Sequence, residues 1–392
     1  MLSSRLPPDF APNRLAAALA ARRAAGLPLL DLTVTNPTAV GLRWPAAALR
    51  RAWRPRGAPS AYDPQPRGLP AARAAVAAYC GPGVTADMVH LTPGTSDGYA
   101  YLFKLLTNPD DEILAPAPSY PLLPALADLE AARLVPYPLS WREGHGWRCD
   151  LAALAAAAGP RARAVVAVSP HNPTGAVLSR EERAALDDFC AARGLALIVD
   201  EVFRDYPAPA NPAPPSAAAG ADGRPPRALT FALSGLSKVC ALPQAKLSWI
   251  VTTGPADATA PARAGLDFIC DAYLSVSAAA QEAAPALLAA RGAIQARVRA
   301  RVDANESWLA ARATRAGAWR LLMRAGGWCA VLEVWNAEDE EEWCLSLLAE
   351  AGVAVHPGFF YDFPRRGHVV LSLLTPQRIF RAGVARLLAR LR

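Results

Sequence analysis

One lysine has the surroundings to do chemistry. Lys238 follows a Ser-Gly-Leu-Ser turn in the stretch FALSGLSKVCALPQAKLSWI, residues 231–250, and a second cation, Lys246, stands eight residues on. Most lysines behind small-residue turns are solvated surface charges. Here the flanks read Leu-Thr-Phe-Ala-Leu and Leu-Ser-Trp-Ile-Val-Thr, both patterned as buried strands. Burial lowers an amine's pKa, and a neutral amine is the nucleophile that forms a Schiff base with an aldehyde. The serines and free turn amides beside it suit an anion such as phosphate. An aldehyde that also carries a phosphate is pyridoxal phosphate.

The elements around that lysine read as alternating strands and helices. Apolar strands are expected over 112–115, 132–137, 164–168 and 196–199, with helices over 120–129, 151–158 and 180–193. Continuous apolar strands between helices imply a parallel sheet covered on both faces, with ligands beyond the carboxyl ends of the strands. Asn172 and Asp200 follow two such ends. An Asp there can cap a helix, or it can hold a cation such as a protonated pyridine nitrogen. Upstream, a strand ending at His90-Leu91-Thr92 runs into Pro93-Gly94-Thr95-Ser96-Asp97 and a helix over 98–106. That strand, small-residue loop and helix present free amides to an anion, although an ordinary N-cap by Thr95 or Ser96 explains the same residues.

The ends of the chain are built differently. A leading arm and a helix over 13–25 precede an extended piece at 31–34, the turn Thr35-Asn36-Pro37-Thr38 and helices over 46–53 and 71–79. Beyond Lys238 come a strand at 247–252, a helix near 261–272 and a long helical run over 283–316. Strands at 329–334, 353–355 and 368–373 and helices at 339–350 and 377–391 complete a smaller α/β unit with the N-terminal segment packed on it. The expected division is an arm and part of the small domain over 1–50, a large cofactor domain over 51–282, and an interdomain helix and small domain over 283–392. Residues 207–227 are rich in Pro and Ala and read as a surface loop.

Composition excludes several classes. With 392 residues and 53% hydrophobic content, the chain has ample core for more than one domain. It holds no apolar run of membrane-spanning length, and its first residues lack an apolar signal core, which points to the cytoplasm. Seven scattered cysteines with no Cys-x-x-Cys pair suit reduced thiols and no metal. The net charge of +7 is carried mostly by Arg in Ala-rich helices. The densest cluster, Arg291 to Arg301, reads as a solvated helical face, with no aromatic interleaving to suggest nucleic acid. A mild positive balance suits small anionic substrates.

These motifs, in this order, resemble the class I/II aminotransferases, the fold type I pyridoxal-phosphate enzymes, over nearly the whole chain. The motifs are Ser-Pro-His-Asn-Pro-Thr-Gly around Asn172, Val-Asp-Glu-Val-Phe around Asp200, Ser-Gly-Leu-Ser-Lys ending at Lys238, and His356-Pro357-Gly358. The resemblance implies that Lys238 forms the internal aldimine and shuttles the proton. It implies that Asp200 pairs with the pyridinium nitrogen, Asn172 donates to O3′ and Tyr120 stacks on the ring, a half-buried core tyrosine being the lesser alternative for Tyr120. Gly94, Thr95, Ser96, Ser237 and Lys246 would hold the phosphate. Tyr62 would reach the phosphate of a neighbouring subunit, making a homodimer with shared active sites. The implied substrates are an amino acid and a 2-oxo acid, exchanged by a ping-pong mechanism.

Three departures stand out. Phe203 occupies the place of a tyrosine that bonds O3′, with Tyr206 a candidate substitute. Lys246 replaces an arginine, keeping the charge and losing the bidentate fork. Val370 occupies the place of the arginine that binds the substrate carboxylate; Arg365, Arg366 and Arg378 are nearby candidates, each also readable as a surface residue. The turn at 35–38 replaces a Gly-containing loop. These departures favour, as an alternative, another fold type I reaction such as a lyase, cyclase or oxidase. A ligand-sensing domain would carry a DNA-binding module, for which the leading segment is too short.

Overall fold

The computed structural model describes residues 2–54, 63–209, 211–220, 224–313, 317–335, 337 and 339–391. Its strands, in chain order, begin with β1 (Leu30–Asp31), β2 (Val89–Thr92), β3 (Glu112–Ala117), β4 (Arg133–Arg142), β5 (Gly146–Cys149), β6 (Ala162–Val168) and β7 (Ala196–Asp200). They continue with β8 (Thr230–Gly235), β9 (Ser248–Thr253), β10 (Trp319–Leu322), β11 (Cys329–Val334), β12 (Val353–Ala354), β13 (His356–Pro357) and β14 (His368–Ser372).

Eight of them form one sheet in the order β2-β9-β8-β7-β6-β3-β4-β5. The central run β8-β7-β6-β3-β4 is parallel, while β9 is antiparallel to both neighbours. The sheet is buried on both faces because successive residues feed two different cores. Ala164, Val166, Ile198, Phe231 and Leu233 pack into one, and Val165, Ala167, Leu197, Val199 and Ala232 into the other. Two-sided burial is why these strands read as unbroken apolar runs.

The second sheet, β10-β11-β14-β13, is antiparallel. Beside it, β1 of the N-terminal segment pairs in parallel with β12 as a separate two-stranded sheet. Leu32 then bridges outward: its N–H donates to Ala354 O at 2.9 Å and its carbonyl accepts from Ser372 N at 2.7 Å.

Several expectations shift. The single helical run expected over 283–316 is two helices, Ala278–Ala290 and Gly292–Ala310, joined at Arg291. The arginines over 291–301 are not simply solvated. Arg297 donates to Arg43 O at 2.7 Å, Arg299 to Asp205 O at 3.0 Å and Arg301 to Leu374 O at 3.2 Å, so they tie the long helix to three other segments. The Pro/Ala-rich segment is also partly internal: Ala217 and Ala218 are buried, and the Ser216 hydroxyl and Ala217 N–H both donate to Glu201. The hairpin strand β5 and the strand β10 were not legible, because short alternating segments carry little periodic signal. No helix of the described residues is long and apolar enough to cross a membrane.

Candidate active site

Parallel strands place their carboxyl ends on one edge of the sheet, and the chemistry-bearing residues collect there. Asn172 lies four residues beyond β6, Asp200 closes β7, and Lys238 follows β8 in a one-turn helix, Leu236–Val239. These are three adjacent strands. Tyr120 lies beyond β3, the next strand along. Gly94 lies beyond β2, and Lys246 precedes the antiparallel β9, so both meet the same edge.

Asp200 is buried, with 8% of its surface exposed. Its Oδ1 accepts from Val202 N at 3.0 Å and its Oδ2 from the Tyr99 hydroxyl at 3.1 Å. Those two donors favour the anion, yet burial outweighs them and pushes the carboxyl up to about 6. The charge of Lys238 also lowers it, but as the last of the causes. Tyr99 was not singled out in the sequence. Its signal is helical spacing, since it shares the inward face of the helix Thr95–Leu106 with Leu102 and Phe103.

Lys238 is half-buried, and desolvation lowers its pKa; Cys329 and Asp200 pull weakly the other way. Its Nζ lies 5.8 Å from the centre of the Phe203 ring and 5.4 Å from that of Trp328. Among the described residues no hydrogen bond or ion pair holds this amine. Phe203 and Trp328 meet edge to face at 5.2 Å and form an apolar wall. The candidate substitute for the missing O3′ hydroxyl is excluded: the Tyr206 hydroxyl donates to the main-chain carbonyl of Lys238 at 2.7 Å and is spent there.

Asn172 is half-buried, and its Oδ1 lies 3.5 Å from the Cys329 thiol. That thiol was not anticipated as a site residue. Burial pushes it up to about 12, so it stays protonated. Tyr120 is half-buried, and its hydroxyl is raised first by burial and then by the charge of Asp200.

At the other end, the helix expected to start at Gly98 begins at Thr95, with Gly94 as N-cap and no side chain capping it. Thr95 and Ser96 therefore occupy its first turn, not the cap, and leave its amides free for an anion. A Cβ at Gly94 would lie 3.2 Å from Lys246 Nζ, so the cation closes over the turn. Ser237 is half-buried in the one-turn helix. Tyr62 lies outside the described residues.

Position 370 carries no cation. Val370 is buried in β14, and Arg365, Arg366 and Arg378 are all exposed. The buried Arg324 is occupied by Glu306 at 2.8 Å and Asp303 at 3.0 Å.

The set fits pyridoxal phosphate. A buried acid suits a pyridinium, a desolvated amine suits the aldehyde, and an uncapped helix start beside a lysine suits the phosphate. The family model for aminotransferase class I and II matches residues 56–383. An alanine aminotransferase of Mycobacterium tuberculosis is 28% identical over 383 residues, covering 93% of this chain and 86% of that protein. A probable N-succinyldiaminopimelate aminotransferase of the same species is 31% identical over 281 residues, covering 71% of this chain and 68% of that protein. In fold, the chain is similar to an alanine aminotransferase from Pyrococcus furiosus, with a TM-score of 0.90 at 20% identity over 100% of this chain and 99% of that one. The chain belongs to the class I and II aminotransferases, pyridoxal-phosphate-dependent enzymes that move an amino group between an amino acid and a 2-oxo acid.

Proposed function

We propose that Lys238, Asp200 and Asn172 are the working residues of this aminotransferase and that the cofactor lies across the edge of β6, β7 and β8. The observation that carries this is the convergence of Asn172, the buried Asp200 and Lys238 at the carboxyl ends of the three adjacent strands β6, β7 and β8. Paired with a pyridinium, the Asp200 carboxylate would regain its charge and hold the ring nitrogen protonated. The cofactor supplies an electron sink when bound. Lys238 would hold the cofactor and move the proton at the substrate α-carbon, a task suited to an amine whose pKa burial has lowered. Asn172 would orient the phenolic oxygen, and Tyr120 would cover the ring. Gly94, Thr95, Ser96, Ser237 and Lys246 would hold the phosphate. Phe203 removes one donor from the phenolic oxygen, so the visible band of the bound cofactor should titrate at higher pH than in an enzyme with a tyrosine there.

The same reading makes the protein a cytoplasmic homodimer, with Tyr62 contributed across the interface and domains divided at 1–50, 51–282 and 283–392. Neither nucleic acid nor membrane is a partner. Replacing Lys238 with Ala tests the assignment: it should remove the visible absorbance of bound cofactor and all turnover. Turnover at the wild-type rate would exclude Lys238.

A further inference from the structure

The substrate end of the site has lost its guanidinium, and the sheet supplies another group beside the gap. Val370 pairs with Val331 of β11 on one side and with His356 of β13 on the other. Directly opposed residues in an antiparallel pair present their side chains to the same face, and every second residue shares it. By that alternation His356, Val370 and Val331 share a face with Cys329 and its partner Ser372. Cys329 touches Asn172 at 3.5 Å and lies in the field of Lys238. This face of the second sheet therefore looks into the site, with His356 next to Val370.

His356 is held in place. Its Nδ1 lies 2.9 Å from the Tyr361 hydroxyl. Tyr361 is buried, and burial, Cys329 and Tyr120 all raise its pKa, so its proton stays on. Its main-chain carbonyl accepts from Ser119 N at 2.7 Å, which ties it to the residue before Tyr120. The other imidazole nitrogen makes no hydrogen bond to a described residue. Burial lowers the pKa of the ring, and the charge of Asp31 raises it. Its carboxylate is taken by Arg23 at 2.7 Å and by the Thr33 hydroxyl at 2.6 Å.

We propose that His356 is the substrate-carboxylate anchor of this enzyme. The Tyr361 hydroxyl donates to Nδ1, which leaves the ring proton on Nε2. Nε2–H then donates to one carboxylate oxygen of the amino acid or 2-oxo acid. Tyr361 is the positioning residue, acting through His356. The proposal rests on the aminotransferase reading. One donor replaces a two-donor fork, so the carboxylate is held at a single point and orientation falls to the aromatic wall of Trp328 and Phe203.

The test uses the cofactor-loaded enzyme and its His356→Leu, His356→Gln and Tyr361→Phe variants. Half-reactions are run with the best donor from a panel of common amino acids and with the primary amine that lacks its carboxylate. In parallel, tryptophan fluorescence gives the dissociation constant of the unreactive carboxylate 3-phenylpropionate. A hydrogen bond to a charged group corresponds to about tenfold or more in affinity. His356→Leu should therefore raise the amino-acid KM and the 3-phenylpropionate constant by about that factor, with kcat little changed and the amine unaffected. His356→Gln, which keeps an N–H donor, should recover most of the loss, and Tyr361→Phe should fall between. Wild-type constants in His356→Leu, or equal losses for amine and amino acid, would overturn the proposal. If the wild-type enzyme transaminates no donor, the aminotransferase reading fails, while 3-phenylpropionate binding still decides the role of His356.

Discussion

The Tyr99 hydroxyl donates to Asp200 Oδ2 at 3.1 Å, linking the helix that opens the anion cup to the acid that closes β7. On the proposed reading one helix serves both ends of the cofactor site: its first turn would face the phosphate, and its fifth residue supports the acid. Replacing Tyr99 with Phe should remove one donor from a buried carboxylate and raise the pKa of Asp200 further. The expected result is about tenfold weaker cofactor binding in a pyridoxal phosphate titration, by the weight of one charge-assisted hydrogen bond. Unchanged affinity would mean that Tyr99 only fills space.

Asp200 should also leave a signature in the stability of the cofactor-free protein. Its folded-state pKa is raised to about 6. Between about pH 4 and 6 the folded state keeps a proton that the unfolded chain has released, so this group's contribution falls as pH rises through that window. Roughly two pKa units correspond to about 3 kcal/mol. Asp200→Asn abolishes the titration. Measured from pH 4 to 7, the variant's unfolding free energy should gain on wild type up to about pH 6 and then run parallel. A constant difference would contradict the placement of the acid. With cofactor bound, the same variant should lose most of its activity while staying folded.

The sequence showed the large sheet and its edge because those strands are apolar on both faces and their ends carry Asn172, Asp200 and Lys238. Such signals are local. What was hidden depends on contacts between distant segments. Tyr99 meets Asp200 across 101 positions, and Cys329 meets Asn172 across 157. The break at Arg291 was missed although Gly292, a poor helix former, follows it, because the Ala-rich stretches on either side read as one run. The fate of Tyr206 was undecided because a tyrosine three residues from Phe203 can turn either way, and only the fold aims it at the Lys238 carbonyl.

That hydrogen bond gives a third expectation. Tyr206 is buried, and its hydroxyl serves the carbonyl of Lys238 at 2.7 Å. Tyr206→Phe keeps the ring and removes one of two donors to that carbonyl, the other being the Ala241 N–H at 3.1 Å. The cost should be about 0.5–1.5 kcal/mol in denaturant unfolding, with the phenolate titration of the bound cofactor unmoved. A shift of that titration would mean that Tyr206 serves the phenolic oxygen after all.

Lys246 should act on affinity more than on rate. Its ammonium stands over Gly94, and the side chain is exposed. Lys246→Ala should weaken pyridoxal phosphate binding by about tenfold, the weight of one such contact, and make the remaining affinity less sensitive to salt. Lys246→Arg should bind at least as tightly as wild type, because the fork returns. Equal affinity in all three proteins would remove Lys246 from the phosphate site.

The most direct measurement of the central claim is the absorbance spectrum of the protein with pyridoxal phosphate, before and after a panel of amino acids, with Lys238→Ala alongside. The account predicts a visible band in wild type that is missing from the variant. At least one amino acid should convert that band to the spectrum of pyridoxamine phosphate with release of the matching 2-oxo acid. A band equally present in Lys238→Ala, or a wild-type band that no amino acid converts, would contradict it.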